Sequence, residues 1–163
     1  MKKIIFVSHC ILNTASKVVL YDKEEMDSEE ALRKRFLQKR WGHVSNQFDN
    51  IFFRKHCRKI LTPILEQLEE YLANGEMFEV LGFVGVDGSP SCGVDYTCCG
   101  DWYGSFGCRT DLEETLADCQ LVKKPGIFMD ELQQMLREQG LENQVTLTSL
   151  FAPEPEKCMR MVE

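Results

Sequence analysis

The sequence predicts an α/β fold: a single Rossmann-like three-layer domain on a small parallel sheet, one strand short of a regular one. Three observations predict it. The runs 4-IIFVS-8 and 79-EVLGFVGV-86 are continuously apolar, which suits parallel strands covered on both faces. Stretches of helical period alternate with such runs, the order from which parallel sheets are built. Between Phe36 and Phe53, however, one helical pattern passes to the next with no apolar strand between them, where a regular chain would place one.

The first strand, at 4–8, runs into a polar turn. Asp27 or Ser28 can cap a helix 29-EEALRKRFLQ-38, whose early glutamates and late basic residues suit the helix dipole. The piece 40-RWGHVSNQFDN-50 reads as loop. A longer helix follows, with Phe52, Phe53, Cys57, Ile60, Leu61, Ile64, Leu65, Leu68 and Leu72 at helical spacing up to 74-NG-75. Pro63 inside it predicts a kink or a break. The second strand is 79–86, with a cysteine-rich loop behind it. A helix at 125-PGIFMDELQQMLREQG-140 and a strand at 144-QVTLTSLF-151 complete the pattern, and the tail from Pro153 is left open. With no repeat, linker or low-complexity tract, one domain spanning 1–163 is expected.

Composition narrows the chemistry. A chain of 163 residues that is 44% hydrophobic can build a core. The opening MKKIIFVSHC lacks a small-residue cleavage site, so it reads as a strand rather than a leader, and a cytoplasmic location is expected. Eight cysteines then read as thiols or metal ligands rather than disulfides. Cys57, Cys119 and Cys158 read as core residues, and His43 and His56 as loop and surface residues. A net charge of −7 argues against broad binding to DNA, RNA or an anionic membrane, and it favours a small molecule over tRNA as partner. The basic runs 33–35, 39–40 and 54-RKHCRK-59 read as solvated helix faces.

Ligands in open parallel sheets collect beyond the carboxyl ends of the strands. Cys10 follows the first strand in 7-VSHCILN-13, and Cys92 follows the next in 86-VDGSPSCG-93. If those strands are neighbours, both thiols stand at one edge of the sheet. Soft thiolates there favour zinc, copper(I) or an iron–sulfur cluster. Gly88, Pro90 and Gly93 let the backbone bend, and amides of such a loop can face a ligand. Ser89 and Ser91 add hydroxyls, and Asp87 a carboxylate. Other motifs fail. The pair His9-Cys10 has Ser16 where a phosphatase loop needs arginine, and no phosphate cradle or dinucleotide fingerprint is present. A zinc knuckle from Cys92, Cys98, Cys99 and Cys108 remains an alternative arrangement.

Taken together, SHCILN, DGSPSCG, FFRKHCRKILTPILEQLEEY and 126-GIFMDELQQML-136 resemble the thiouracil desulfurase family, once catalogued as DUF523, in its TudS-related desulfidase branch. The resemblance covers most of the chain. It implies a Rossmann-like domain that holds a [4Fe–4S] cluster by three cysteines. The cluster's open iron takes the sulfur of a thiolated nucleobase such as 2-thiouracil, and water replaces it. Cys10 and Cys92 match two of the three ligands, and Ser89 and Ser91 fall in the serine-bearing motif. The family's Cys-Pro-Glu, with the third ligand and a glutamate for acid–base work, does not occur here. Its place is where the strand is missing. Cys57, Cys98, Cys99 or Cys108 can be considered for the third thiolate, and Asp87 or Asp95 for the carboxylate. The alternative is a truncated relative that binds a thiolated ligand, a metal or a partner protein without turnover.

Overall fold

A computed structural model describes residues 1–12, 46–100, 110, 111, 114, 120–151, 153, 154 and 156–159. The helix expected at 29–38, the basic runs 33–35 and 39–40, His43, Cys108, Cys119 and the site of the missing strand lie outside the described residues.

The fold is a Rossmann-like α/β arrangement, with a small parallel sheet flanked by helices. Strand β1 (Lys2–Val7) leads into a single helical turn, α1 (His9–Leu12). Helix α2 (Ile51–Ala73) precedes β2 (Phe78–Val86), and α3 (Ile127–Glu138) precedes β5 (Thr146–Leu150). These strands form a three-stranded sheet in the order β1-β2-β5, parallel throughout. Two short strands, β3 (Thr97–Cys99) and β4 (Gln120–Val122), pair antiparallel in a separate sheet, and α4 (Glu156–Met159) follows β5.

Helix α2 begins where the Asn50 side chain accepts the amides of Phe52 and Phe53, an N-cap that orients the first turn. The segment 46–48 before it is helical rather than loop. Cys57, Leu61, Leu65 and Leu68 form the buried stripe, whereas Phe52 (82% exposed) and Ile60 (43%) fall off it. A fully buried leucine contributes roughly 2 kcal/mol, so the stripe, not the total apolar count, docks the helix. Pro63 neither breaks nor ends α2. It lies on the exposed face, where the Lys59 carbonyl that loses its partner can turn to water.

The core gathers Leu61, Leu65 and Leu68 of α2, Phe83 of β2, and Met129, Leu132, Met135 and Leu136 of α3. An ion-pair clasp ties the two helices. Glu131, 3% exposed, accepts from Arg54 at 2.7 Å and Arg58 at 2.6 Å. Asp130 and Glu138 bind the same arginines. Of the run 54–59, Lys55, His56 and Lys59 are exposed as a solvated face requires, while the two arginines are half-buried in the clasp.

The sheet's register depends on Gly82. Ile4 pairs with Val80 but Ile5 with Gly82, so Leu81 is an extra residue in β2. Gly82 has φ +134°, and a Cβ there would lie 2.0 Å from the Thr146 carbonyl oxygen. The bulge brings Phe83 into stacking with Phe6 at 4.6 Å between ring centres.

Candidate functional site

Because β1 and β2 are hydrogen-bonded neighbours, the segments leaving their carboxyl ends emerge side by side. The Ser8 amide donates to the Val84 carbonyl, which starts α1 beside the end of β2. Cys10 lies in that turn. Its Sγ is 3.6 Å from Sγ of Cys92, across 82 residues of chain. This is sulfur–sulfur contact, well beyond the roughly 2.05 Å of a disulfide bond.

Cys92 is held from several directions. Its carbonyl accepts the Val86 amide at 2.9 Å, which folds the loop back onto β2. Glycine at position 85 permits this, since a Cβ there would stand 2.2 Å from that carbonyl oxygen. The Ser89 hydroxyl accepts the amides of Ser91 and Cys92, and the Cys92 thiol donates to it at 3.2 Å. The first amides of α3 grip the loop's carbonyls: Gly126 to Gly93, Ile127 to Pro90, and Phe128 and Met129 to Ser91. The start of α3 and the cysteine loop are thereby one hydrogen-bonded unit.

Asp87 closes the loop's far side. Its Oδ1 accepts the amides of Val94, Asp95 and Tyr96, and its Oδ2 accepts the Ser149 hydroxyl at 2.6 Å and Lys157 Nζ at 3.0 Å. Burial alone would push this carboxyl's pKa up. The hydrogen bonds from Ser149, Lys157 and the amides of Asp95 and Tyr96 outweigh burial and hold it below the ordinary carboxylate value. Five donors give Asp87 a structural task. The half-exposed Asp95 also binds Lys157.

The loop's amides were expected to face a ligand, and the structure differs. Every amide from Gly88 to Tyr96, Pro90 having none, donates within the protein: Gly88 to Tyr96, Ser89 to Val86, Gly93 to Ser89, and the others to Ser89 Oγ or Asp87. A loop this buried has to satisfy its own N–H groups, which leaves its side chains, Cys92 and Ser91 among them, as its outward chemistry.

Two of the thiols considered as a third ligand stand elsewhere. Cys57 is 1% exposed on the α2 stripe, and its thiol pKa is pushed up to about 11, first by burial and then by the charge of Glu131. It stays a core thiol, as its spacing suggested. Cys98 has no exposed surface and pairs with Leu121 across the β3–β4 ladder, with the half-buried Cys99 next to it. His56 is exposed, and Cys158 is half-buried on α4. Among the described residues, no group of three or more His, Cys, Asp or Glu side chains is arranged to hold a metal ion. Sulfur is the donor type that soft metals favour, and Cys10 and Cys92 bring two such atoms into contact.

A cleft of about 100 Å³ lies at the same strand ends, between the sheet and helices α2 and α3. Val7 and Ser8, which lead into Cys10, line it together with Phe6, Phe83, Val84 and Phe128. The lining carries no charged side chain.

Reasoning from sequence missed the β3–β4 pair and the part of Lys157. Neither had a periodic signal: the paired strands are three residues each, and Lys157 lies in a short polar tail. No helix among the described residues is long and apolar enough to cross a membrane. Comparison with protein-family models, with curated proteins and with solved structures finds no match.

Proposed function

We propose that this protein is a desulfidase that works through an iron–sulfur cluster, [4Fe–4S] by family resemblance, and removes sulfur from a small thiolated nucleobase such as thiouracil. The observation that supports this reading most is the 3.6 Å approach of Cys10 and Cys92 at the carboxyl edge of the sheet. The net reaction replaces C=S by C=O: water supplies oxygen, and sulfur leaves as hydrogen sulfide.

When bound, an iron–sulfur centre supplies a Lewis acid that polarises the carbon–sulfur bond. Cys10 and Cys92 would hold it. Ser89 orients Cys92, since its hydroxyl accepts from both the amide and the thiol of that residue. The uncharged cleft lined by Phe6, Phe83 and Phe128 reaches the start of α1 through Val7 and Ser8, and neither Cys10 nor Cys92 is among its lining residues. Asp87, considered for acid–base work, has Oδ1 committed to the loop's amides and Oδ2 to Ser149 and Lys157, and acts as a positioning residue. Ser91 braces α3 through its carbonyl and leaves a hydroxyl beside Cys92 in sequence.

The test is sulfide release. Protein reconstituted without oxygen and mixed with 2-thiouracil should produce sulfide and uracil in equal amounts, and the Cys92→Ser variant should produce neither. A second reading, binding of a thiolated ligand without turnover, is favoured by one observation: no third metal-ligating side chain joins the pair among the described residues. It predicts that 2-thiouracil raises the melting temperature while no sulfide appears.

A further inference from the structure

The loop that carries Cys92 is fastened at its far end by a residue from the end of the described chain. Three successive amides, Val94 to Tyr96, converge on Asp87 Oδ1, and Ser149 and Lys157 converge on Oδ2. Of these five donors only Lys157 is a cation. Its ammonium also pairs with Asp95 and stands over the stacked rings of Tyr96 and Phe151, at 5.8 and 5.9 Å from their centres. The backbone of Lys157 is fixed in turn: its carbonyl accepts the Thr148 hydroxyl at 3.2 Å, and its amide donates to Glu154. One side chain thus ties α4 and β5 to both ends of the loop, at Asp87 and at Asp95–Tyr96. Cys92 lies between those ends.

A carboxylate with no exposed surface is costly to keep ionised without a cation. If Lys157 is lost, Asp87 either takes a proton or draws water, and its grip on the amides of residues 94–96 loosens. Cys92 is two residues away. Its carbonyl and thiol remain held by Val86 and Ser89, but the loop end that fixes their direction no longer is.

We propose that Lys157 is a positioning residue for the cysteine pair, a latch from the C-terminal segment that keeps Cys92 Sγ opposite Cys10 Sγ. The inference deepens the reading of that pair as the working centre and rests on it. Its consequence is that the pair's geometry depends on a side chain that binds the loop at Asp87 and Asp95.

Phenylarsine oxide tests this on the full-length reduced protein. One arsenic(III) closes a ring on two touching thiols, losing its oxygen as water with the two thiol protons, and it holds single thiols weakly. Since the chain has eight cysteines, the capture belonging to the pair is the part that Cys10→Ser removes. Wild type should show that part, and Lys157→Met should capture roughly tenfold more slowly, the shift expected from losing a charge-assisted hydrogen bond. Lys157→Arg should restore most of the rate. Should the Met variant fail to fold, Lys157→Gln, which keeps a donor without the charge, is read in its place. A wild-type capture rate in the uncharged variant, with only a lower melting temperature, would overturn the latch. So would wild-type protein with no capture assignable to the pair. Iron uptake by wild type is scored separately. If it fails while arsenic capture succeeds, the desulfidase reading falls and the Lys157 comparison is still decided.

Discussion

A carboxylate with no contact with water needs a donor for each lone pair, and Asp87 has five. Asp87→Asn keeps the shape but turns an amide donor toward Ser149 and Lys157 or leaves Lys157 with Asp95 in place of its buried anion. Breaking a buried pair in this way costs about 3 kcal/mol, to be measured as a lower urea midpoint at neutral pH. The pH dependence follows from the same contacts. The folded pKa of Asp87 lies below the unfolded value, so its stabilisation is present above the unfolded pKa and is lost as pH falls through the folded one. Wild type should therefore lose stability on acidification below about pH 4, and the variant should lose less over that window. Equal acid limbs in the two proteins would contradict this account. Such a role was only half legible: an aspartate in a Gly/Ser/Pro turn announces a busy loop, but the sequence does not say whether it works on a substrate or on the loop's own amides.

At the scale of elements, the bulge in β2 sets which side chains face the helices. Gly82→Ala would place a methyl carbon 2.0 Å from the Thr146 carbonyl oxygen and force alanine into φ +134°. The strain and the separation of β2 from β5 together should cost at least about 3 kcal/mol, seen as a large drop in denaturation midpoint; a midpoint equal to wild type would refute the register described here. The strands and the two long helices were legible because burial imposes a period on their residues. Strand β2 was placed within a residue, and α3 within two at each end. Pro63 does not break α2, because a proline's cost depends on which face of the helix it occupies, and that face is decided by packing. Phe52 and Ile60, by contrast, were expected on the apolar stripe and are exposed. They are apolar, but they lie outside the angular sector that the sheet and α3 cover. The β3–β4 pair offered no period at all, since a three-residue strand gains its stability from its partner.

For the whole molecule, parallel order explains why the cysteines meet. In β1-β2-β5 both crossovers return the chain to the same end of the sheet, so the segments after β1 and β2 leave in the same direction from adjacent strands. A cysteine in the segment after each strand is thereby brought to one edge of the sheet, where the fold-back of the loop puts sulfurs 82 residues apart into contact. The shared edge followed from the sequence, given only that the two strands are neighbours. What did not follow was how Cys92 is held, by Ser89, by the first turn of α3 and by the Asp87–Lys157 clamp, because each of those contacts joins segments with no shared local pattern. The most direct measurement is anaerobic reconstitution with iron and sulfide, read by absorbance and by iron content. The account predicts a brown charge-transfer band in wild type and in Cys57→Ser, and its loss in Cys10→Ser and in Cys92→Ser. A wild type that stays colourless, or two colourless-site variants that bind iron as well as it does, would contradict the claim that these sulfurs hold the metal together.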